Sequence, residues 1–263
     1  MHHDWLTPDW PAPATVRALC TTRTGGVSTG PYESLNLGDH VGDAPAAVRD
    51  NRRLLRQAMG VRPVFLQQIH GLQVAVLNAQ TPDDTPADGC MTASANVACT
   101  IMVADCLPVL FTNHQGSAVA AAHAGWRGLA GAGGRGVLES TLASFMALTN
   151  MQYGQAATEV IAWLGPCIGP EQFEVGAEVK AAFEANDAHA SGCFRPHGDG
   201  KWLADLAGLA RWRLQAMGVT SIHGNDGSAP WCTVSNRSRF FSHRRDTLAL
   251  GGSGRFAACV WLV

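Results

Sequence analysis

The amino-acid sequence predicts an α/β (α+β) fold, a single domain in which mixed β-sheets are flanked by helices. Three observations lead there. Strand-like runs and helical patterns interleave without regular βαβ alternation, which argues against a Rossmann or TIM architecture. Three strand-like runs, 98–104, 107–112 and 117–123, follow one another closely. The 263 residues hold no internal repeat and no low-complexity linker, so one folded unit can bury most of the apolar side chains.

Residues 1–15 read as an N-terminal arm carrying Trp5, Trp10 and three prolines, and 16–263 as one catalytic domain. His2 and His3 lie at a chain end and read as non-functional. Val16 to Thr22 has strand character. The glycine-rich stretch 22–43 excludes a long helix and offers Arg23, Ser28, Tyr32, Asn36, Asp39 and His40 to a polar ligand; it lacks the G-K-[ST] of a Walker loop. Asp43 to Met59 reads as a helix with Asp43 as cap and Pro45 in its first turn. Val48, Leu54 and Leu55 form its apolar face, and Arg52, Arg53 and Arg56 its outer side. Residues 64–70 and 73–77 are strand-like, 81–88 an acidic solvent-exposed loop, and 91–96 small and polar. After the three central strands, 128–149 reads as one helix with a buried stripe of Leu138, Leu142, Phe145 and Met146. Residues 158–164 form a strand running into GPCIGP. Helices are predicted over 175–185 and 203–217, with a polar loop at 189–200 between them. A short strand at 219–223, a long loop at 225–246 and a strand at 255–263 finish the chain.

Composition narrows the function. The net charge of −2 recruits neither nucleic acid nor a membrane surface. No signal peptide or membrane-length apolar window is present, and eight cysteines without a C-x-x-C pair suit a reducing cytoplasm. What remains conspicuous is that three apolar runs lead into His70, Cys106 and His123. Two imidazoles and a thiolate form a three-ligand set suited to Zn²⁺, with copper as the other thiophilic choice, and leave one coordination position open. No local motif links residues so far apart. His70 and His123 also fit as core or strand-end histidines, and Cys106 as a buried thiol or a nucleophile paired with histidine.

The segments QQIHG (67–71), ADCLPVL (104–110), HAGWRG (123–128), WLGPCIGP (163–170), FEVG (173–176) and FFSHRRD (240–246), with the loop 22–43, resemble the YfiH-like family. Its members are also called laccase-domain or multicopper polyphenol oxidase-like proteins, and the resemblance runs from about residue 16 to the C-terminus. It implies a single α/β domain with mixed sheets, distantly similar to cytotoxic-necrotizing-factor catalytic domains. It implies a metal triad of His70, Cys106 and His123, usually holding zinc. It further implies purine nucleoside phosphorylase activity on adenosine or inosine, with adenosine deamination and methylthioadenosine phosphorolysis in some members and peptidoglycan-precursor editing in a bacterial branch. His243 departs from the pattern, which expects tyrosine there.

Given that resemblance, Asp105 beside Cys106 is a candidate proton carrier. Arg23, Arg127, Arg244 and Arg245 are candidates for phosphate, Asn36 for ribose or base, and Trp126 for stacking on a purine. The H-x-E and P-C-x-x-C signature of known zinc deaminases is absent. A laccase function fits less well, because the ten histidines are scattered and no His-x-His pair occurs. The remaining alternatives are a precursor-editing hydrolase and a non-enzymatic metabolite-binding module. Expected partners are a nucleoside and phosphate, acting on a monomer or small homo-oligomer.

Overall fold

Continuous apolar runs of small and β-branched residues, such as VACTIMV and VAAAHA, suit strands buried on both faces. They form the middle of two large sheets. The structure is a computed structural model and describes residues 4–152 and 156–263. Its strands are β1 (Val16–Cys20), β2 (Arg62–Gln67), β3 (Val74–Val76), β4 (Thr85–Pro86), β5 (Gly89–Thr92), β6 (Val97–Val103), β7 (Leu107–Asn113), β8 (Val119–Ala124), β9 (Val160–Leu164), β10 (Glu174–Val175), β11 (Phe194–Pro196), β12 (Trp202–Ala204), β13 (Ser221–Gly224) and β14 (Phe256–Leu262). A five-stranded sheet has the order β1-β14-β6-β2-β4, and a six-stranded sheet the order β13-β9-β7-β8-β5-β3. Both are mixed: β2 is parallel to β6 while β14 is antiparallel to it, and β9 is parallel to β13 but antiparallel to β7. A small third sheet is β10-β12-β11.

The two large sheets pack face to face. Val64, Leu66, Ile101 and Val103 of one meet Leu110, Val119, Ala121 and Trp163 of the other in a shared core. Helix α1 (Pro45–Met59) covers the outer face of the five-stranded sheet through Leu55 and Met59. The outer face of the six-stranded sheet is covered by α3 (Val137–Leu148), α5 (Ala177–Glu184) and α6 (Leu206–Ala216), and the short α4 (Ala156–Glu159) leads into β9. The expected mixed-sheet, helix-flanked α+β architecture is therefore present. Among the described residues no helix is long and apolar enough to cross a membrane.

Several local expectations are corrected. The helix read over 128–149 is two, α2 (Trp126–Ala130) and α3, because Gly131, Gly133 and Gly134 all take positive φ between them. Asp43 does not cap α1; Ala44 holds that position, and the Asp43 carboxylate accepts hydrogen bonds from Ser28 and Asn36 instead. Arg52 is not on the outer side: it donates to the Leu37 carbonyl and lies over the Phe65 ring at 4.1 Å. Val175 and residues 203–204 leave their predicted helices to pair within β10 and β12, and Asp205 caps α6 by accepting from Gly208 N–H at 2.8 Å. The 189–200 loop contains β11, and the 225–246 loop ends in the helix α7 (His243–Leu250). The arm is anchored by hydrogen bonds in both directions between Leu6 and Cys20, and Trp10 packs on the inter-sheet core. His2 and His3 lie outside the described residues.

Candidate metal centre

Strand register brings the three separated residues to one end of the sheet pair. On β8, Val119 and Ala121 face the inter-sheet core, so the two-residue period turns His123 to the same side. Cys106 lies where the chain crosses from β6 in one sheet to β7 in the other. His70 stands three residues beyond the end of β2, not on a strand as the run 64–70 predicts. Gln68 pins this loop to β6 by accepting from the Met102 N–H and donating to the Met102 carbonyl, both at 2.8 Å.

The residue that assembles the site is Asp88, in the stretch expected to be a solvent-exposed loop. It is fully buried. Its carboxylate accepts from the main-chain N–H groups of Ile69 (3.1 Å), His70 (2.9 Å) and Gly71 (2.6 Å), and pairs with His123 Nδ1 at 2.8 Å. Its main-chain carbonyl accepts from His123 N–H at 2.7 Å. One side chain thus holds the His70 loop and orients the His123 ring, with Nε2 left for the site. Burial works to raise the Asp88 pKa, but the His123 and main-chain hydrogen bonds outweigh it and keep the carboxylate below its usual range.

The donor atoms of His70, Cys106 and His123 all lie within 4.8 Å of one another. Cys106 Sγ is 3.7 Å from His70 Nε2, and the two imidazole rings meet edge to face with centroids 4.7 Å apart. Donors sharing one tetrahedral ion at about 2.0–2.3 Å stand roughly 3.3–3.8 Å apart, so small side-chain rotations suffice and the set fits a metal ion. His123 is buried, Cys106 half-buried and His70 exposed, so the cluster opens on one side. Without metal, burial pushes the Cys106 thiol up, but the His123 and His70 rings bring it down to about 6. Burial lowers His123, while Cys106 and Asp88 raise it to about 9. The pair rests as thiolate and imidazolium, the thiolate being the form that ligates metal.

The backbone is shaped to the cluster. His70 and Asp105 take left-handed conformations, φ 59 and φ 86, which few non-glycine residues occupy. Gly125 leaves room for the donors: a Cβ there would sit 2.6 Å from the His70 ring and 3.0 Å from Cys106 Sγ.

The other predicted residues divide by where their hydrogen bonds end. Asp105 accepts from Thr233 Oγ1 (2.6 Å), Ser242 Oγ (3.1 Å) and Arg244 N–H (2.7 Å), so both its oxygens are engaged by the 233–244 segment. Asn36 is fully buried and bonded to Gly38, Asp43 and Arg255. Arg245 donates to the carbonyls of Thr233, Val234 and Phe240 and pairs with Asp246. Arg23 donates to the carbonyls of Glu33 and Arg237 and borders a cavity of about 860 Å³ lined by none of the three metal-ligand candidates. Arg127 is exposed, its guanidinium 4.4 Å from the ring of half-buried Trp126; Arg244 is exposed and donates to the Glu174 carbonyl. A second cavity of about 510 Å³ is lined by Asp39, His40, Asp84 and the Leu66–Ile69 segment, and likewise by none of the three. Sequence reasoning missed Asp88 and Gly125; their signal was weak, an Asp-Gly among other acidic residues and a glycine between motif residues.

The chain is similar to known proteins over nearly its whole length. A family profile described as multi-copper polyphenol oxidoreductase laccase matches residues 17–263. A purine nucleoside phosphorylase of Pseudomonas aeruginosa is 51% identical over 259 residues, 98% of each chain. The purine nucleoside phosphorylase YfiH of Escherichia coli is 46% identical over 260 residues, again 98% of each. The crystal structure of a Neisseria meningitidis protein superposes with a TM-score of 0.86 at 48% identity, covering 98% of this chain and 99% of that one.

Proposed function

The chain belongs to the YfiH-like family, and on that premise we propose that it is a zinc-dependent purine nucleoside phosphorylase. Adenosine, inosine and S-methyl-5'-thioadenosine are its proposed substrates, cleaved by phosphate to a free base and a ribose 1-phosphate. Adenosine deamination is the proposed side activity, and the cytoplasm its place. The carrying observation is the His70–Cys106–His123 donor set, with His123 locked by buried Asp88, in a chain half-identical to a protein of that name.

Zn²⁺ held by His70, Cys106 and His123 would supply Lewis acidity and one open coordination position. The chain's own residues do the rest. Asp88 keeps the His123 proton on Nδ1. Asp105, fixed by Thr233 and Ser242, sets the turn that presents Cys106. The exposed guanidinium groups of Arg127 and Arg244 would meet anionic substrate groups, and Trp126 would offer a flat face beside Arg127.

The laccase reading is the weaker one. Oxygen-reducing copper oxidases need an electron-transfer copper and further imidazole-rich coppers. Among the described residues, His70, Cys106 and His123 form the one cluster of three potential ligands. Product analysis decides: adenosine and phosphate should give adenine and ribose 1-phosphate, and base release should stop without phosphate. Copper-dependent oxidation of a phenol faster than any purine reaction would overturn the reading, and absence of any turnover would leave a binding module.

A further inference from the structure

The cavity of about 860 Å³ beside Arg23 holds none of the three donors, yet its lining is that of a ligand site. One wall is the 30–34 segment, which brings Glu33; the other is the 235–238 segment, which brings Arg237 and Ser238. Leu250, the last residue of α7, supplies an apolar side. Arg23 ties the two walls together. Its Nε donates to the Glu33 carbonyl at 2.9 Å and its Nη1 to the Arg237 carbonyl at 3.2 Å. Phe241 backs the guanidinium, with the ring centroid 4.6 Å away. Only 12% of the Arg23 side chain is exposed, so the planar group is fixed where it borders the cavity.

Three polar groups of this lining have no partner among the described residues: Arg23 Nη2, the exposed Arg237 guanidinium and the exposed Ser238 hydroxyl. The neighbouring hydroxyls are already engaged, Thr24 with Asp4 at 2.6 Å and Ser235 with Cys232 Sγ at 3.3 Å. Asp246 lies 3.7 Å from Arg23 Nη1, but its oxygens accept from Arg245 at 2.7 and 3.0 Å and from the Ser242 N–H. Glu33 is the one carboxylate on the lining. The guanidinium groups of Arg23, Arg237 and Arg245 thus share two carboxylates, and the balance is positive. Burial lowers the Arg23 pKa; Asp246 opposes this, and Arg245 and Arg237 act with burial. An anion between Arg23 and Arg237 would relieve their repulsion through charge-assisted hydrogen bonds.

We propose that this cavity is a second ligand site, separate from the metal centre, and that it takes a sugar phosphate. The phosphate meets Arg23 Nη2 and the Arg237 fork, and Ser238 donates to it as well. The space far exceeds a phosphate ion, which favours an ester over the free anion. Glu33 accepts from the sugar hydroxyls, and Leu250 covers a carbon face. No bond is made or broken there. The expectation that Arg23 meets phosphate keeps its chemistry and changes its place.

Calorimetry with ribose 5-phosphate, inorganic phosphate and ribose tests this on zinc-loaded wild type, Arg237→Gln and Arg23→Gln, and on Cys106→Ala. Wild type should bind ribose 5-phosphate at least about tenfold more tightly than either inorganic phosphate or ribose, because each offers only part of the ligand. R237Q should weaken the ester by at least about tenfold, and C106A by less than about threefold. The Arg237 side chain makes no bond within the described chain, so R237Q probes binding without removing a structural contact; R23Q, which also gives up two carbonyl bonds, should lose the ester too. Absence of ester binding to wild type overturns the proposal. So does inorganic phosphate binding as tightly as the ester, which would mark a simple anion site. A smaller loss in R237Q also overturns it, as does a loss in C106A that R237Q does not share, which would put the ligand at the metal centre. None of these readouts uses turnover, so the result stands whether or not the phosphorylase reading does.

Discussion

The sheet end that holds His70, Cys106 and His123 and the loop bundle that holds Arg23, Asn36 and Arg245 are both dense in polar side chains. They differ in where their hydrogen bonds end. In the loop bundle the bonds close on the protein: Arg245 reaches three carbonyls and a carboxylate, and buried Asn36 bonds on both its oxygen and its nitrogen. At the sheet end three donor atoms converge within 4.8 Å, while Asp88 behind them is fully engaged. Polar residues whose partners lie within the chain hold a loop in shape. Polar residues that converge on a shared point offer themselves to a ligand.

That contrast breaks most sharply at the donors. Cys106→Ala or His123→Ala should lower phosphorolysis by about a thousandfold or more and remove the metal, with only modest loss of stability. Metal content by mass spectrometry checks this, and full occupancy in both variants would sink the assignment. Asp88→Asn should weaken metal binding by roughly 10–100-fold. It should also destabilise the fold by about 1–3 kcal/mol, because buried donors of the His70 loop lose their charged acceptor. Competition with a zinc chelator and urea unfolding read the two effects separately.

Gly125→Ala sharpens the comparison from the other direction, since it alters no donor. The added methyl would meet the His70 ring at 2.6 Å, so metal affinity should fall by about tenfold while the fold persists. Unchanged affinity would show that the ring has another place to go. Arg245→Gln should do the reverse: a loss of about 1–3 kcal/mol in stability with metal affinity unchanged. A drop in metal content of folded R245Q would erase the distinction between the two regions. The smallest effect concerns metal-free protein, where the Cys106 pKa of about 6 means the thiolate persists above that pH. Alkylation by iodoacetamide should therefore stay fast at neutral pH, fall as the pH drops below about 6, and be suppressed by zinc.

The strands that matter were legible because apolar runs and their ends are local signals. β6, β7 and β8 lie within two residues of the expected runs, and Cys106 and His123 stand at or near their ends. The interruption after α2 was readable in principle from four glycines at 131, 133, 134 and 136, yet the helical stripe of Leu138 and Leu142 masked it. Asp88 was illegible for a different reason. Its neighbours are acidic and proline-bearing, so local composition points to solvent, while its burial follows from three N–H groups delivered by residues 69–71.

Hydrophobic periodicity, glycine placement and the motif segments by themselves determined the class of fold, its central strands and the identity of the three donors. The tertiary structure decided which polar groups are already satisfied and which still face an open space. The reason is physical: apolar patterning is written in neighbouring residues, whereas a hydrogen-bond partner such as that of His123 lies 35 residues away and exists only once the sheets have paired.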